Sequence, residues 1–474
     1  MAVALPLRIY GLDAICAAAA AQADNSDQAA HFTRRLFERV ADRDLAAAVV
    51  EQRAGVALCL LAFARRRLPG VAKVRVFNPA FADHGFESRY TVVQIVNDDM
   101  PFLVNSVVAE FTRRDIGVHL LAHPVMGVRR DLDGDLIAVG IDAGDRARSE
   151  SMMYIEIDRQ ADLLLIDDLA GALGRVLGQV RVAVEDWRAL RQACLDAIED
   201  LSPEKTAERA DHEEFLRWLE ADHFTFLGHR RYRYADDAAQ PAGLRYDLIT
   251  DSSLGVLRRE QAHLFETGLG SGAAMAAFAR GPQKLMIVKT DTRSLVHRDG
   301  VMDCVIVKTH DADGRVTGER RFAGLFTSSA YNAMVEDVPL LRGKVETVRR
   351  HLDLDARGHD GKALQDIFDS YPRDELFQID EPTLYDHALG ILQLQERRRV
   401  ALFVRRDALG RFANCLVFAP RERFDAELSA RFADILRRAW GGAVTSISGS
   451  GSTGSPLAQA LYTLAISEIG RAHV

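Results

Sequence analysis

The sequence predicts an α+β fold divided among several domains, and three observations carry that prediction. Runs rich in β-branched residues alternate with segments whose apolar residues recur every three or four positions, so strand and helix periods coexist in one chain. Turns bearing aspartate and glycine join strand-like runs into hairpins, which points to antiparallel sheets. The chain has 474 residues, enough for two to four domains that each bury a core.

The elements follow in order. Residues 1–70 read as mostly helical: Ser26 is placed to cap a helix carrying Phe32, Leu36, Phe37 and Val40 on one face, and Val56–Arg67 repeats the pattern. Val71–Asn78 is a short strand and Thr91–Val96 a second, dominated by β-branched residues. Asn97, Asp98 and Asp99 then supply acceptors where a helix should begin, with Pro101 suited to its first turn. Leu103, Val104, Val107, Val108 and Phe111 give that helix its apolar face. Val118–Arg130 is expected to return as one long strand, Asp131–Asp135 as a hairpin turn, and Leu136–Gly140 and Met152–Asp158 as further strands. A helical segment over Ala161–Leu201 closes the unit and continues as a spacer.

The middle of the chain has a different texture. A short helix over His212–Leu219 precedes strands at Phe224–Tyr234, Leu244–Ile249, Leu254–Arg258 and Leu285–Lys289. Met302–His310, the turn Asp311–Gly314 and Glu319–Thr327 make a hairpin. Helices at Val338–Leu354, Lys362–Ser370 and Leu384–Glu396 lead out of an antiparallel sheet. The third unit reads as ββαβ, with strands Val400–Val404 and Phe412–Phe418 and an amphipathic helix over Phe424–Trp440 that Gly441-Gly442 ends. Ala443–Ile447 and Ala458–Ile466 are further strand candidates.

Two stretches resemble a known family. Asp99–Val104, DMPFLV, resembles the D-x-P-G-x-L entry of ACT domains, small ferredoxin-type βαββαβ modules that often bind amino acids. The longer run Phe77–Val107, FNPAFADHGFESRYTVVQIVNDDMPFLVNSV, is similar to the N-terminal region of the large bacterial NAD-specific glutamate dehydrogenases. The resemblance covers roughly Phe32 to beyond Trp440. It implies ACT-like and PAS-like regulatory domains ahead of a distant catalytic core. The organisation expected is an N-terminal helical segment (1–70), a first ACT-like domain (71–180), a helical spacer (181–210), a PAS-like antiparallel-sheet domain with trailing helices (211–396) and a second ACT-like domain (397–466). Residues 467–474 read as translated adapter sequence, which implies a reading frame cut short.

Composition narrows the function classes. Apolar residues make up 48% and charged residues 27%, as in an ordinary soluble protein. A net charge of −8 argues against general nucleic-acid binding, which needs a concentrated basic surface. The five cysteines, Cys16, Cys59, Cys194, Cys304 and Cys415, are scattered and odd in number, as expected of reduced thiols in a cytoplasmic protein. No stretch approaches the ~20 apolar residues of a membrane span.

Few motifs point to chemistry. Gly449–Gly454 is formally G-x-G-x-x-G, but Pro456 follows at once, so a loop between two strands is the simpler reading. Asp131, Asp133 and Asp135 alternate as in a calcium loop, yet Leu136 and Asp142 stand where Gly and Glu are required, so a turn is expected. His119 and His123, and His223 and His229, lack a carboxylate or cysteine that would complete a metal set. The one candidate effector site is the turn Asn97, Asp98, Asp99, Met100, Pro101 and Phe102. In amino-acid-binding ACT domains the matching loop offers backbone N–H groups to a ligand carboxylate. Phe102 replaces the family's glycine here, and Asp98 and Asp99 place negative charge where that carboxylate would sit, so helix capping competes with ligand binding.

The resulting expectation is a regulatory or assembly fragment of an enzyme that oxidatively deaminates L-glutamate to 2-oxoglutarate with NAD. The fragment itself is expected to be inactive, to bind no cofactor or metal, and to form a homo-oligomer through ACT-like sheets with an amino-acid effector as possible ligand. The alternative is a stand-alone ACT-type sensing or oligomerisation module.

Overall fold

The computed structural model describes residues 5–140, 147–240, 243–258, 272–355, 358–394, 397, 399–450 and 455–466. The adapter-like tail and most of the glycine loop lie outside them. The chain divides into two compact units: Met1–Glu185 together with Ser294–Gly300, and Asp186–Arg293 together with Val301–Val474.

The first unit opens with helices α1 (Leu5–Gln22), α2 (Ser26–Phe37), α3 (Asp42–Leu45) and α4 (Val50–Ala64). The residue that caps α2 is Asn25, not Ser26: its side chain accepts from Gln28 N at 3.1 Å. Strand β1 (Lys73–Phe77), the short α5 (Phe81–His84), β2 (Thr91–Asp98) and α6 (Leu103–Arg113) follow. Then come β3 (Val118–Ala122), β4 (Val125–Arg130), β5 (Leu136–Val139), β6 (Arg148–Ile157) and α7 (Leu163–Glu185). The sheet runs β1-β2-β6-β4-β5, with β3 also on β6 and every pair antiparallel. The strand beside β2 therefore comes from upstream, from Lys73–Phe77, rather than from a strand after α7.

Val118–Arg130 is two strands, not one. Pro124 has no N–H to give to a ladder, and the chain breaks there before resuming along the same partner, β6. Every residue from Thr91 to Asn97 is buried because both faces of the sheet are covered. Val92, Val96, Met152 and Tyr154 share a core with Phe32, Leu36 and Leu60 of α2 and α4. Val93, Ile95, Met153 and Ile155 are buried on the other face, where α7 packs along β1 and α6.

The second unit begins at a break within the expected Ala161–Leu201 helix. Asp186 separates α7 from α8 (Trp187–Glu199), and its carboxylate accepts from Gly255 N at 2.7 Å and pairs with Arg258. After α9 (Ala207–Trp218) come β7 (Phe224–Asp236), β8 (Leu244–Leu248), β9 (Leu254–Gly255), α10 (Ala273–Arg280), β10 (Leu285–Arg293), β11 (Val301–His310) and β12 (Val316–Phe326). They form an antiparallel sheet in the order β10-β11-β12-β7-β8, with β9 on β7. Helices α11 (Ser328–Asn332), α12 (Leu341–Leu352), α13 (His359–Ser370), α14 (Arg373–Gln378) and α15 (Glu381–Leu394) trail it.

The last elements are β13 (Ala401–Arg406), β14 (Phe412–Pro420), α16 (Ala426–Trp440), β15 (Val444–Ser450) and β16 (Leu457–Ala465), in sheet order β13-β14-β16-β15. Asp425, not Phe424, starts α16, accepting from Leu428 N at 2.8 Å. The two glycines after it do different work. Gly441 takes a left-handed φ of 65°, while a Cβ on Gly442 would lie 1.6 Å from the Ala465 carbonyl oxygen. One face of this sheet joins the unit's main core through Leu416, Phe418, Leu457 and Leu461. The other face packs on α16 through Ala413, Cys415, Leu436, Trp440 and Tyr462.

All five cysteines are buried and unpaired. Among the described residues no helix is long and apolar enough to cross a membrane, and no three His, Cys, Asp or Glu residues come together as a metal site would require.

Candidate functional site

The turn from Asn97 to Phe102 leaves the centre of the first sheet at the C-terminal end of β2. Asp98 is still in the strand, opposite Glu150. Its carboxylate is fully engaged: Oδ1 accepts from Arg67 Nη2 at 2.6 Å, and Oδ2 accepts from Arg181 Nη2 at 2.7 Å and from Gly70 N at 3.0 Å. Arg181 also donates to Asn97 Oδ1 at 2.8 Å. Beside this pair Glu150, 1% exposed, accepts from Arg67 at 2.7 Å and from Arg130 at 2.7 and 2.8 Å. Three guanidinium groups thus face two carboxylates, and the acid at Asp98 is more than neutralised. Burial pushes the Asp98 carboxyl up, but the hydrogen bonds and charges of Arg67 and Arg181 outweigh it and leave the group below its ordinary range.

The rest of the turn is built differently from a capped helix start. Asp99 is exposed, and its backbone N–H donates to Ser149 O at 3.0 Å. Neither acid bonds the first N–H groups of α6, so capping by Asp98 or Asp99 does not occur. Pro101 lies ahead of the helix rather than in its first turn. Phe102 takes the N-cap position with φ 71° and ψ −5°, and no side chain caps there. This is the left-handed conformation that glycine adopts without cost; here a phenylalanine holds it. Phe102 O accepts from Ser106 N at 2.9 Å and from Ser106 Oγ at 2.7 Å.

Sequence reasoning gave no sign of what lies over this position. Ser294–Gly300, part of the same unit, runs past it. His297, also at positive φ, donates its backbone N–H to Ser106 Oγ at 2.9 Å, and its ring lies 4.9 Å from that of Phe102. Arg113 Nη1 donates to Ser294 O at 3.1 Å. The space that a glycine would leave open is filled by an aromatic ring with an imidazole against it.

The other residues singled out in the sequence do not converge. His119 Nε2 lies 2.7 Å from Asp158 Oδ1 and its ring stacks on Tyr90, whereas His123 Nε2 lies 2.7 Å from Ser151 Oγ. His223 Nδ1 meets Trp218 O at 2.8 Å and His229 Nδ1 meets Ser252 O at 3.1 Å. Asp131 and Asp311 are turn residues of one design. The Oδ1 of Asp131 accepts from Asp133 N and Asp135 N at 3.0 and 2.8 Å, and that of Asp311 from Asp313 N and Arg315 N at the same distances. The glycine motif begins inside β15, and the strands flanking its loop are antiparallel neighbours. A dinucleotide fingerprint needs a strand leading into a helix, which this arrangement does not provide.

The sequence also concealed buried charge in the second unit. Lys289 Nζ lies 2.7 Å from Asp303 Oδ1 and 2.9 Å from Asp374 Oδ2, while Tyr331 OH donates to Asp374 Oδ1 at 2.7 Å. Burial disfavours the charged amine, but the two carboxylates overcome it and raise its pKa. Lys344 Nζ donates to the carbonyls of Leu376, Phe377 and Ile379 at 2.9, 3.3 and 2.7 Å, tying off the end of α14. Ion pairs and carbonyl caps of this kind hold elements in place.

Comparison with known proteins adds three family matches along the chain. Residues 32–173 match the glutamate dehydrogenase ACT1 domain, 338–397 the glutamate dehydrogenase helical motif 1, and 401–472 the glutamate dehydrogenase ACT2 domain. The chain is 37% identical over 423 residues to the NAD-specific glutamate dehydrogenase of Halomonas elongata, covering 87% of this chain and 26% of that protein. It is 37% identical over 370 residues to that of Pseudomonas aeruginosa, covering 77% and 23%. With the Mycobacterium tuberculosis protein of the same name it shares 27% over 385 residues, covering 80% and 22%. The chain spans about a quarter of the length of these relatives.

Proposed function

The chain belongs to the N-terminal region of the NAD-specific glutamate dehydrogenase family, and from that premise we propose that it is a regulatory and assembly segment of such an enzyme. The parent reaction is oxidative deamination of L-glutamate with NAD and water to 2-oxoglutarate, ammonia and NADH. In this reading the residues that bind NAD and glutamate lie in parts of the parent other than these. The observation that carries the proposal is the order of the three matched regions, two ACT regions separated by a helical motif, on a chain with three antiparallel sheets among its described residues.

The sheet β10-β11-β12-β7-β8 with its trailing helices is PAS-like in this reading, a sensor module between the two ACT regions. The Asn97–Phe102 turn is the element through which an amino-acid effector would act. An incoming carboxylate there meets the N–H groups that open α6 and must displace His297 from Phe102. Homo-oligomers form through the exposed edges of the ACT sheets, which offer unpaired backbone groups.

Calorimetric titration of the purified chain with glutamate, other amino acids and NAD tests these assignments. An amino-acid signal that Asp99→Asn abolishes supports the turn as a sensor. Silence toward every amino acid removes that role, and NADH formation from glutamate by the chain alone contradicts the regulatory reading.

A further inference from the structure

The first unit contains a cavity of about 300 Å³ that none of the sequence motifs anticipates. It opens between the last turn of α2, continued to Val40, and the break between β3 and β4. Its floor is apolar, because Leu36, Val40, Ala122 and Pro124 are all buried.

Its rim is charged and unbalanced. From the end of α2, Arg35 is already committed, with Nη1 donating to Glu38 Oε1 at 2.8 Å and Nη2 to Val125 O at 3.4 Å. Glu38 is thereby neutralised. Arg39 is exposed and, among the described residues, makes no hydrogen bond or ion pair. His123 faces it from the strand break, held by Ser151. Burial lowers the basicity of His123, Asp99 acting from the neighbouring turn raises it, and Arg39 lowers it again. The net effect is to disfavour the charged imidazolium. Among the described lining residues, Arg39 is left as the unbalanced charge.

An apolar floor beneath a single free guanidinium selects a ligand with one negative charge and a compact apolar body. A dianion would leave a second charge unmatched beside Glu38, and a neutral molecule would leave the guanidinium fork unused. That fork matches a carboxylate with two parallel hydrogen bonds. The volume lies at the lower end of small-molecule sites, which favours a body of ring or branched-chain size. We propose that this cavity is a binding site for a small monocarboxylate, its carboxylate on Arg39 and its apolar group on the floor formed by Leu36, Val40, Ala122 and Pro124. The proposal rests on the cavity alone and is independent of the role assigned to the Asn97–Phe102 turn.

Cyclohexanecarboxylate is a suitable probe, with cyclohexylmethanol and inorganic phosphate as comparators, titrated into the full chain and followed by ligand-observed NMR. The carboxylate should bind, and the alcohol and phosphate should each bind at least about tenfold more weakly, as expected for loss of a charge-assisted pair or of the apolar contact. Arg39→Gln, at an exposed position that leaves the fold intact, should weaken the carboxylate by about tenfold and leave the alcohol unchanged. An unaltered thermal transition of the variant establishes that the fold is retained. The proposal is overturned if the carboxylate shows no binding at millimolar concentration, if Arg39→Gln binds it as well as the parent chain does, or if phosphate matches it.

Discussion

At the scale of single residues, the first unit depends on charges that cannot be removed singly. Arg67 is buried between Asp98 and Glu150, with its side chain 2% exposed and that of Glu150 1% exposed. Arg67→Met leaves Glu150 with Arg130, and Asp98 with Arg181 and the Gly70 N–H. A cost of about 1.5–3 kcal/mol is expected, since each carboxylate keeps one cation but loses a hydrogen bond from a charged donor. Urea denaturation of the two proteins checks it, and a loss below about 1 kcal/mol would place the stabilisation elsewhere. His229 offers a pH test in the second unit. It is 2% exposed, and burial, joined by the Arg320 and Arg231 charges, pushes its pKa down to about 3 against a single carbonyl hydrogen bond that raises it. The unfolded chain binds this proton below about 6.5 and the folded chain does not, so stability falls as pH drops from about 6.5 toward 3. The slope from this one group approaches about 1.4 kcal/mol per pH unit. His229→Asn, which keeps a donor for Ser252 O, should flatten that part of the pH–stability curve. An unchanged slope would contradict the assignment. None of these partnerships is legible in the sequence, because Arg67, Arg130 and Arg181 reach Asp98 and Glu150 from distant elements. The acids of the turn were visible, and the arginines that neutralise them were not.

At the scale of elements, hairpin turns show what local sequence can specify. Asp131, Asp311 and Asp407 each begin a D-x-x-G turn and close it with their own carboxylates. The three differ in burial. Asp407 is 5% exposed and accepts from Phe412 N at 2.8 Å and from the Arg411 backbone, whereas Asp311 is exposed. Asp311→Ala should therefore cost about 1 kcal/mol and Asp407→Ala about 2–3 kcal/mol, because only the latter strands buried donors. Thermal unfolding of both variants checks the order, and equal losses would contradict it. Helix and strand existence was largely readable from periodicity, as at Thr91, Phe224 and Phe412. What escaped were breaks inside long patterns. Pro124 splits a strand by lacking a donor, Asp186 splits a helix by turning its carboxylate to Gly255, and Arg373–Gln378 is too short for a periodic signal. Phe102 escaped for another reason. Nothing local indicates that a phenylalanine will hold a glycine conformation; the His297 ring against it is far away in sequence.

At the scale of the whole molecule, the chain carries two ACT regions of a glutamate dehydrogenase on separate sheets, each covered on both faces. With the faces covered, strand edges are the parts of these sheets left to pair with another copy. The edge strand β13 exposes Leu402, 49% accessible, with Val400 just before it at 54%. Light scattering of the chain at increasing concentration should show a dimer or higher oligomer, and Leu402→Lys should shift it toward monomer. A monomer at every concentration would rule out assembly through these edges. The family itself was readable from Phe77–Val107, because a run that long and specific constrains identity more than any periodicity does. The effector role of the Asn97–Phe102 turn was not, since it depends on what occupies the space above Phe102.

The regulatory account is tested most directly by NADH formation from L-glutamate and NAD, compared between the purified chain and the Pseudomonas aeruginosa relative carrying this chain in place of its own matching region. The account predicts no NADH from the chain alone and glutamate-dependent NADH from the chimera. NADH from the chain alone would contradict it.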